Sequence, residues 1–174
     1  MKINPQKIFL ILKIAVVAFC VLILCFLFAQ KFVFSKNLVY EIDFIEKNQQ
    51  NKFVRGFFPE TRIEFNENNI KVNHEPIYLE VYSPRKYKQA KVKIKYQNQT
   101  DLNAQFGVKL KNNDWAFFMQ TLQNTDDSFI ESEFELDLAN AEIINNKLKF
   151  ILACPRIDQS ENKIIIESIK INLN

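Results

Sequence analysis

Lys91-Val92-Lys93-Ile94-Lys95-Tyr96 alternates a charge with an apolar side chain. Successive side chains of a β-strand point to opposite faces, so this spacing predicts Val92, Ile94 and Tyr96 against a core and three ammonium groups in water. Glu133-Phe134-Glu135-Leu136-Asp137-Leu138 repeats the pattern with the sign reversed. Residues 85–95 hold six bases and no acid, and residues 126–142 hold seven acids and no base. Two strands so charged have two options. They lie side by side and pair Lys91, Lys93 and Lys95 with Glu133, Glu135 and Asp137, or the lysines form a basic face open to a polyanion or a membrane surface.

The same alternation extends in both directions. Tyr40, Ile42 and Phe44 share one face, and 62–65 and 70–72 flank the turn Asn66-Glu67-Asn68-Asn69. Ile77, Leu79 and Val81 alternate with Tyr78, Glu80 and Tyr82 before Pro84. Later candidates are 106–110, 115–119, 148–154 and 163–173, the last with Ile169, Ile171 and Leu173 facing in. Roughly nine strands at this spacing predict an all-β fold, an antiparallel β-sandwich over residues 37–174. Only 139–144 reads as a helical turn. The chain has two Gly but 19 Asn, several in pairs, and Asn tolerates the left-handed backbone that tight turns need. Gly56, in Arg55-Gly56-Phe57-Phe58-Pro59, reads as a turn residue with a backbone angle other residues avoid, and Phe57 and Phe58 read as core.

Ahead of this domain, residues 8–29 read IFLILKIAVVAFCVLILCFLFA, with Lys13 as the one charge. About 20 helical residues span a ~30 Å hydrocarbon layer, so a transmembrane signal-anchor helix is expected there. Residues 1–7 then form a basic cytoplasmic head, and residues 30–36 a juxtamembrane segment. Lys2 and Lys7 hold the N-terminus in the cytoplasm and place the sandwich on the extracytoplasmic side of the cell membrane. A leader cleaved after Ala29 is the alternative, though the apolar run is long for one. Lys2, Lys7 and Lys13 account for the formal net charge of +3, so the rest of the chain is neutral and nucleic acid is not an expected partner.

Cys20 and Cys25 fall in the anchor, which leaves Cys154 unable to form a disulfide within the outer domain and fit for a buried role. His74 is the one histidine and reads as a loop residue; no Gly-x-Ser-x-Gly or phosphate-binding Gly loop occurs. No metal site, cofactor or catalytic constellation is therefore expected, and the protein reads as a non-enzyme. Trp115, at a loop–strand junction, can stack on a sugar ring with Tyr78, Tyr82 and Tyr87 beside it, or it plugs the end of the core. Asn98-Gln99-Thr100 matches an N-glycosylation acceptor.

Lys147-Leu148-Lys149-Phe150-Ile151-Leu152-Ala153-Cys154-Pro155 followed by residues 163–173 resembles the closing strands of galactose-binding-like jelly rolls, a group that includes many carbohydrate-binding modules. Ile164, Ile166, Ile169, Ile171 and Leu173 fill an I-x-I-x-x-I-x-I-x-L final strand. The resemblance implies a jelly-roll-like sandwich and raises glycan binding; the group's acidic calcium signature is not evident. The expected function is a membrane-anchored, non-catalytic envelope module for binding or scaffolding, its partners the lipid bilayer and an envelope protein or a surface glycan. The alternative is a glycan-binding accessory or an enzyme acting on envelope polysaccharide.

Overall fold

The computed structural model describes residues 5–31, 37–44, 53–111 and 116–174; within the first segment it describes the side chains of Phe9 and residues 12–26. The chain divides into two units, Met1–Lys36 and Asn37–Asn174. The first contains the helix α1, Pro5–Lys31, of 27 residues. Its described large apolar side chains, from Phe9 to Phe26, are exposed. Counted over the described residues alone, no helix is long and apolar enough to cross a membrane.

The second unit is all β. In chain order its strands are β1 (Leu38–Asp43), β2 (Val54–Phe58), β3 (Ile63–Phe65), β4 (Ile70–Val72), β5 (Ile77–Tyr82) and β6 (Gln89–Asn98). There follow β7 (Gln105–Lys109), β8 (Phe117–Thr121), β9 (Ile130–Asp137), β10 (Ile143–Ile144), β11 (Lys147–Ala153) and β12 (Ile164–Leu173). One sheet runs β3-β4-β12-β6-β9 with β1 also on β12; the other runs β2-β5-β11-β7-β8 with β10 also on β11. Every pairing is antiparallel. We call them the first and second sheets.

Alternation puts one face of each sheet into a shared core. Val92, Ile94, Tyr96, Ile169, Ile171 and Leu173 enter from the first sheet, all at 0% exposure. Ile77, Leu79, Phe106 and Phe150 enter from the second, and Phe106 stacks on Phe150 with ring centroids 5.8 Å apart. The core among the described residues is drawn from 42–173, so Asn37–Asn174 carries its own hydrophobic core and is able to fold alone. Tyr40 braces the two layers: its hydroxyl on β1 donates to the Tyr82 carbonyl on β5 at 2.5 Å, and burial pushes its pKa up to about 12.

The last strand explains its own sequence pattern. Ile164 and Ile166 face in, the register against β6 slips between Ile166 and Ser168, and Ile169, Ile171 and Leu173 then face in on the opposite parity. The doubled "x" of I-x-I-x-x-I is a β-bulge: one extra residue lets the strand bend while both halves keep their apolar side toward the core.

Three local expectations are corrected. Residues 139–144 form no helix; Ala141 makes a bridge to Leu110, and Ile143–Ile144 becomes β10. The two-residue loop Asn145-Asn146, at φ 51° and 59°, then returns the chain into β11. Both residues lie in the left-handed region that such a turn demands, as expected of paired Asn. Gly56 lies inside β2 at a register irregularity, and no glycine has positive φ among the described residues. Phe57 is buried as expected, whereas Phe58 is half-exposed against Tyr78.

The charged strands do lie side by side, β6 on β9, in the register Lys91↔Glu135, Lys93↔Glu133 and Lys95↔Glu131. The ion pairs differ from those expected. Lys91 meets Glu133, Lys93 meets Glu131 at 3.2 Å and Glu133 at 3.0 Å, and Lys95 turns to Glu167 on the bulge at 2.7 Å. Asp137 lies opposite Gln89 and accepts from the Ala139 amide instead.

Hydrogen bonds from Lys91 and then Lys93 hold the Glu133 carboxyl below its ordinary 4.5. A carboxyl lowered in the folded state stabilises above its unfolded pKa, and that share is lost as pH falls through the folded one. Lys93 is raised above 10.5, chiefly by hydrogen bonding to Glu133, so its share is full below 10.5 and fades as pH rises through the folded value. Urea midpoints of residues 37–174 should therefore fall on both sides of the neutral range, and Glu133→Gln should flatten the acid limb. Superimposable acid limbs for the two proteins would contradict this.

Candidate functional site

The outer face of the second sheet gathers several aromatic side chains that remain accessible. β5 alternates buried Ile77, Leu79 and Val81 with half-exposed Tyr78, Glu80 and Tyr82, as its sequence requires. Register carries the outward row across strands: Phe58, Tyr78, Ile151, Gly107 and Met119 on one line, and Arg55, Glu80, Lys149, Lys109 and Phe117 on the next. Tyr78 packs against Phe58 with the rings tilted by 38° and 5.6 Å between centroids, and Tyr82 against Phe53 at 5.6 Å. Lys149 Nζ lies 5.6 Å from the centre of the Tyr78 ring, and the Arg55 guanidinium 3.9 Å from that of Phe58.

Beside these rings is a depression of about 190 Å³ lined by Glu80, Glu142, Ile144, Asn145, Lys147 and Lys149. The Glu80 carboxylate is shared between Lys147 at 3.7 Å and Lys149 at 3.8 Å, while Lys109 is held by Glu142 at 2.7 Å. Ring faces next to a mixed set of acceptors and donors are what a hydroxylated, amphipathic ligand needs: one side apolar, its rim rich in hydrogen-bonding groups.

Of the residues singled out in the sequence, the structure brings Tyr78 and Tyr82 together on this face. Tyr87 belongs to the core: it is 5% exposed, Arg85 covers its ring at 5.0 Å, and its hydroxyl finds no hydrogen-bond partner among the described residues. A buried ring has no face to offer a ligand. Trp115 lies outside the described residues. Lys91, Lys93 and Lys95 are on the opposite sheet, engaged in the ladder above. Sequence reasoning missed Phe58, Glu80, Lys147 and Lys149, because their neighbourhood is made by three separate strands, β2, β5 and β11, that only the sheet register brings together.

A second recess, about 390 Å³, opens at one end of the sandwich and is lined by Asn98, Gln99, Thr100, Asp101, Asn124, Thr125, Asp126, Asp127 and Asn162. It contains no aromatic ring, and its deepest polar groups satisfy one another. Asn98, at 0% exposure, accepts from the Thr100 amide at 3.2 Å and hydroxyl at 2.7 Å. Its amide group donates to Asn124 Oδ1 at 3.1 Å and to the Gln123 carbonyl at 3.4 Å. Asn98-Gln99-Thr100 is thus a structural clasp, with the Asn amide enclosed where an acceptor would have to be reachable. Nearby, Cys154 is 1% exposed, 3.9 Å from the Thr100 hydroxyl, and burial pushes its thiol up. His74 is an exposed loop residue. Among the described residues no group of three or more His, Cys, Asp or Glu converges to hold a metal.

No protein-family model and no curated protein matches the sequence. Solved structures do match the fold. A family 29 carbohydrate-binding module from Piromyces equi aligns with a TM-score of 0.53 at 14% identity, over 78% of this chain and 91% of that one. The second N-terminal cellulose-binding domain of β-1,4-glucanase C from Cellulomonas fimi aligns with a TM-score of 0.50 at 8% identity, over 76% and 90%. At such identities the likeness establishes the shared β-sandwich, and the ligand has to be argued from the side chains.

Proposed function

We propose that residues 37–174 form a jelly-roll-like glycan-binding module without catalytic activity, and that sugar rings dock on the outer face of the second sheet. The observation that carries this reading is the row Phe58–Tyr78, with Tyr82 next to it, set beside Glu80, Lys147 and Lys149, with Tyr78, Glu80 and Tyr82 half-exposed along β5. The fold shared with carbohydrate-binding modules supports it. The scaffolding role first expected from the sequence has less behind it, because the exposed rings sit among hydrogen-bonding groups and do not form a broad apolar patch.

Affinity electrophoresis of residues 37–174 through gels containing a panel of polysaccharides tests this. At least one polymer should retard the protein, and Tyr78→Ala should weaken that retention by about 2 kcal/mol, roughly thirtyfold in Kd. Absence of retardation by every polymer, or a Tyr78→Ala variant retained like the parent, would overturn the assignment.

The helix Pro5–Lys31 is then the tether. At 1.5 Å per residue its 27 residues run about 40 Å, and the sequence of residues 8–29, with Lys13 as its one charge, supplies the apolar run that supports this reading. Lys13, the one charge in the apolar stretch, leans back over Phe9 with its ammonium 4.7 Å from the ring, toward the basic N-terminal end. In membranes carrying the full chain, the sandwich should be digested by protease added on the extracytoplasmic side and survive protease on the cytoplasmic side. The reverse pattern would refute the orientation.

A further inference from the structure

The two outer faces differ in their charge balance. On the first sheet, Lys71, Lys91, Lys93, Lys95 and Lys170 are matched by Glu64, Glu131, Glu133, Glu167 and Glu41. On the second, among the described residues, the ion pairs and ladder partners of Arg55, Lys109, Lys147 and Lys149 are Glu80 and Glu142. Glu142 is taken by Lys109 at 2.7 Å, which leaves Glu80 opposite Arg55 in the ladder and shared by two ammonium groups at 3.7 and 3.8 Å. Two ammonium groups therefore share one carboxylate, and a third cation, Arg55, occupies the ladder position opposite it. This excess is local, since residues 37–174 as a whole carry 18 Lys and Arg against 20 Asp and Glu.

Two of those cations lie over the rings that a sugar would stack on. Lys149 covers Tyr78 and Arg55 covers Phe58. A sugar that takes the ring face displaces the cation from it. A neutral sugar returns only hydroxyls to the displaced group, whereas an acidic sugar returns a carboxylate and a charge-assisted hydrogen bond, about twice as strong as a neutral one.

We propose, resting on the glycan-binding reading above, that the ligand of this face is an acidic polysaccharide whose sugar rings carry carboxylates, with Lys149 and Arg55 as its charge contacts and Tyr78 and Phe58 as its stacking surface. Polygalacturonate and its methyl ester share a backbone and differ in charge, so affinity electrophoresis of residues 37–174 with both isolates this term. Alginate, neutral xylan and vesicles containing anionic lipid complete the set.

Polygalacturonate or alginate should be bound at least tenfold more tightly than the ester and xylan, with affinity falling as salt rises. Lys149→Gln and Arg55→Gln should each lose most of that preference, while Lys91→Gln on the opposite sheet should keep it. Equal retention by acid and ester, or retention by xylan alone, would overturn the acidic ligand and leave glycan binding standing. Loss of preference in Lys91→Gln would reveal non-specific charge attraction and also overturn it, as would capture by anionic vesicles without capture by either acidic polymer. Failure to bind any polymer would remove both readings.

Discussion

Gly107→Ala should lower the unfolding free energy of the sandwich by about 3 kcal/mol, at the upper end of what overpacking one methyl group usually costs. Gly107 is fully paired within β7, opposite Ile151 on one side and Met119 on the other. A Cβ there would collide with the Phe118 carbonyl oxygen and with Met119 Sδ, and would come within 2.9 Å of Met119 Cα. The thioether can rotate away, but the backbone of β8 can yield only by breaking its five-residue ladder to β7. Gly56 supplies the contrast: nothing lies within 4 Å of its would-be Cβ, so Gly56→Ala should stay within about 0.5 kcal/mol of the parent. Urea midpoints measure both. Equal midpoints for the Gly107→Ala variant and the parent would mean that the edge strand is free to shift, and the rigid outer row built on Gly107 would lose its basis.

The contrast between the two glycines also marks the limit of reading the chain without coordinates. Gly56 sits among two aromatics and a proline, a composition that reads as a turn, yet its backbone is extended because Val54 and Phe57 need the core. Tertiary burial decided against local punctuation. Where alternation was long and unbroken, as in β5, β6 and β9, the elements and their inward faces were legible from the side-chain period alone. The bulge in β12 was visible as a doubled spacer, although its meaning required the partner strand.

Partnership was the harder quantity. Opposite signs on 85–95 and 126–142 make the pairing of β6 with β9 legible. Which lysine meets which glutamate depends on the strand register and on the bulge in β12, so Lys95 finds Glu167, far away in sequence. The candidate site suffers the same loss more severely. Tyr78 and Tyr82 could be named because aromatics at outward positions are unusual, but Lys147 and Lys149 look like ordinary solvated charges until β11 is laid against β5. Tyr87 shows the converse error, since only the packed structure distinguishes an outward tyrosine from a buried one.

The end of β6 offers a sharper test of how a three-residue pattern acquires its meaning. Asn98→Asp should destabilise the sandwich by about 3 kcal/mol at pH 7, because it leaves an oxygen where the amide nitrogen donates to Asn124 Oδ1 and the Gln123 carbonyl. It also puts a charge at a position with 0% exposure, near Asp101, Asp126 and Asp127, which line the same recess. The carboxylate keeps the shape of the amide and can still accept from Thr100, so the loss reports the donor and the charge and not a cavity. Burial and neighbouring acids raise the folded pKa of such a carboxyl, and the penalty accrues as pH rises through the unfolded value toward the folded one. Acidification should therefore narrow the gap between variant and parent, because the protonated acid regains one donor. A gap that stays constant from pH 7 to pH 4 would show that charge is not its source, and equal midpoints at pH 7 would mean that Asn98 does not clasp the 123–125 loop at all.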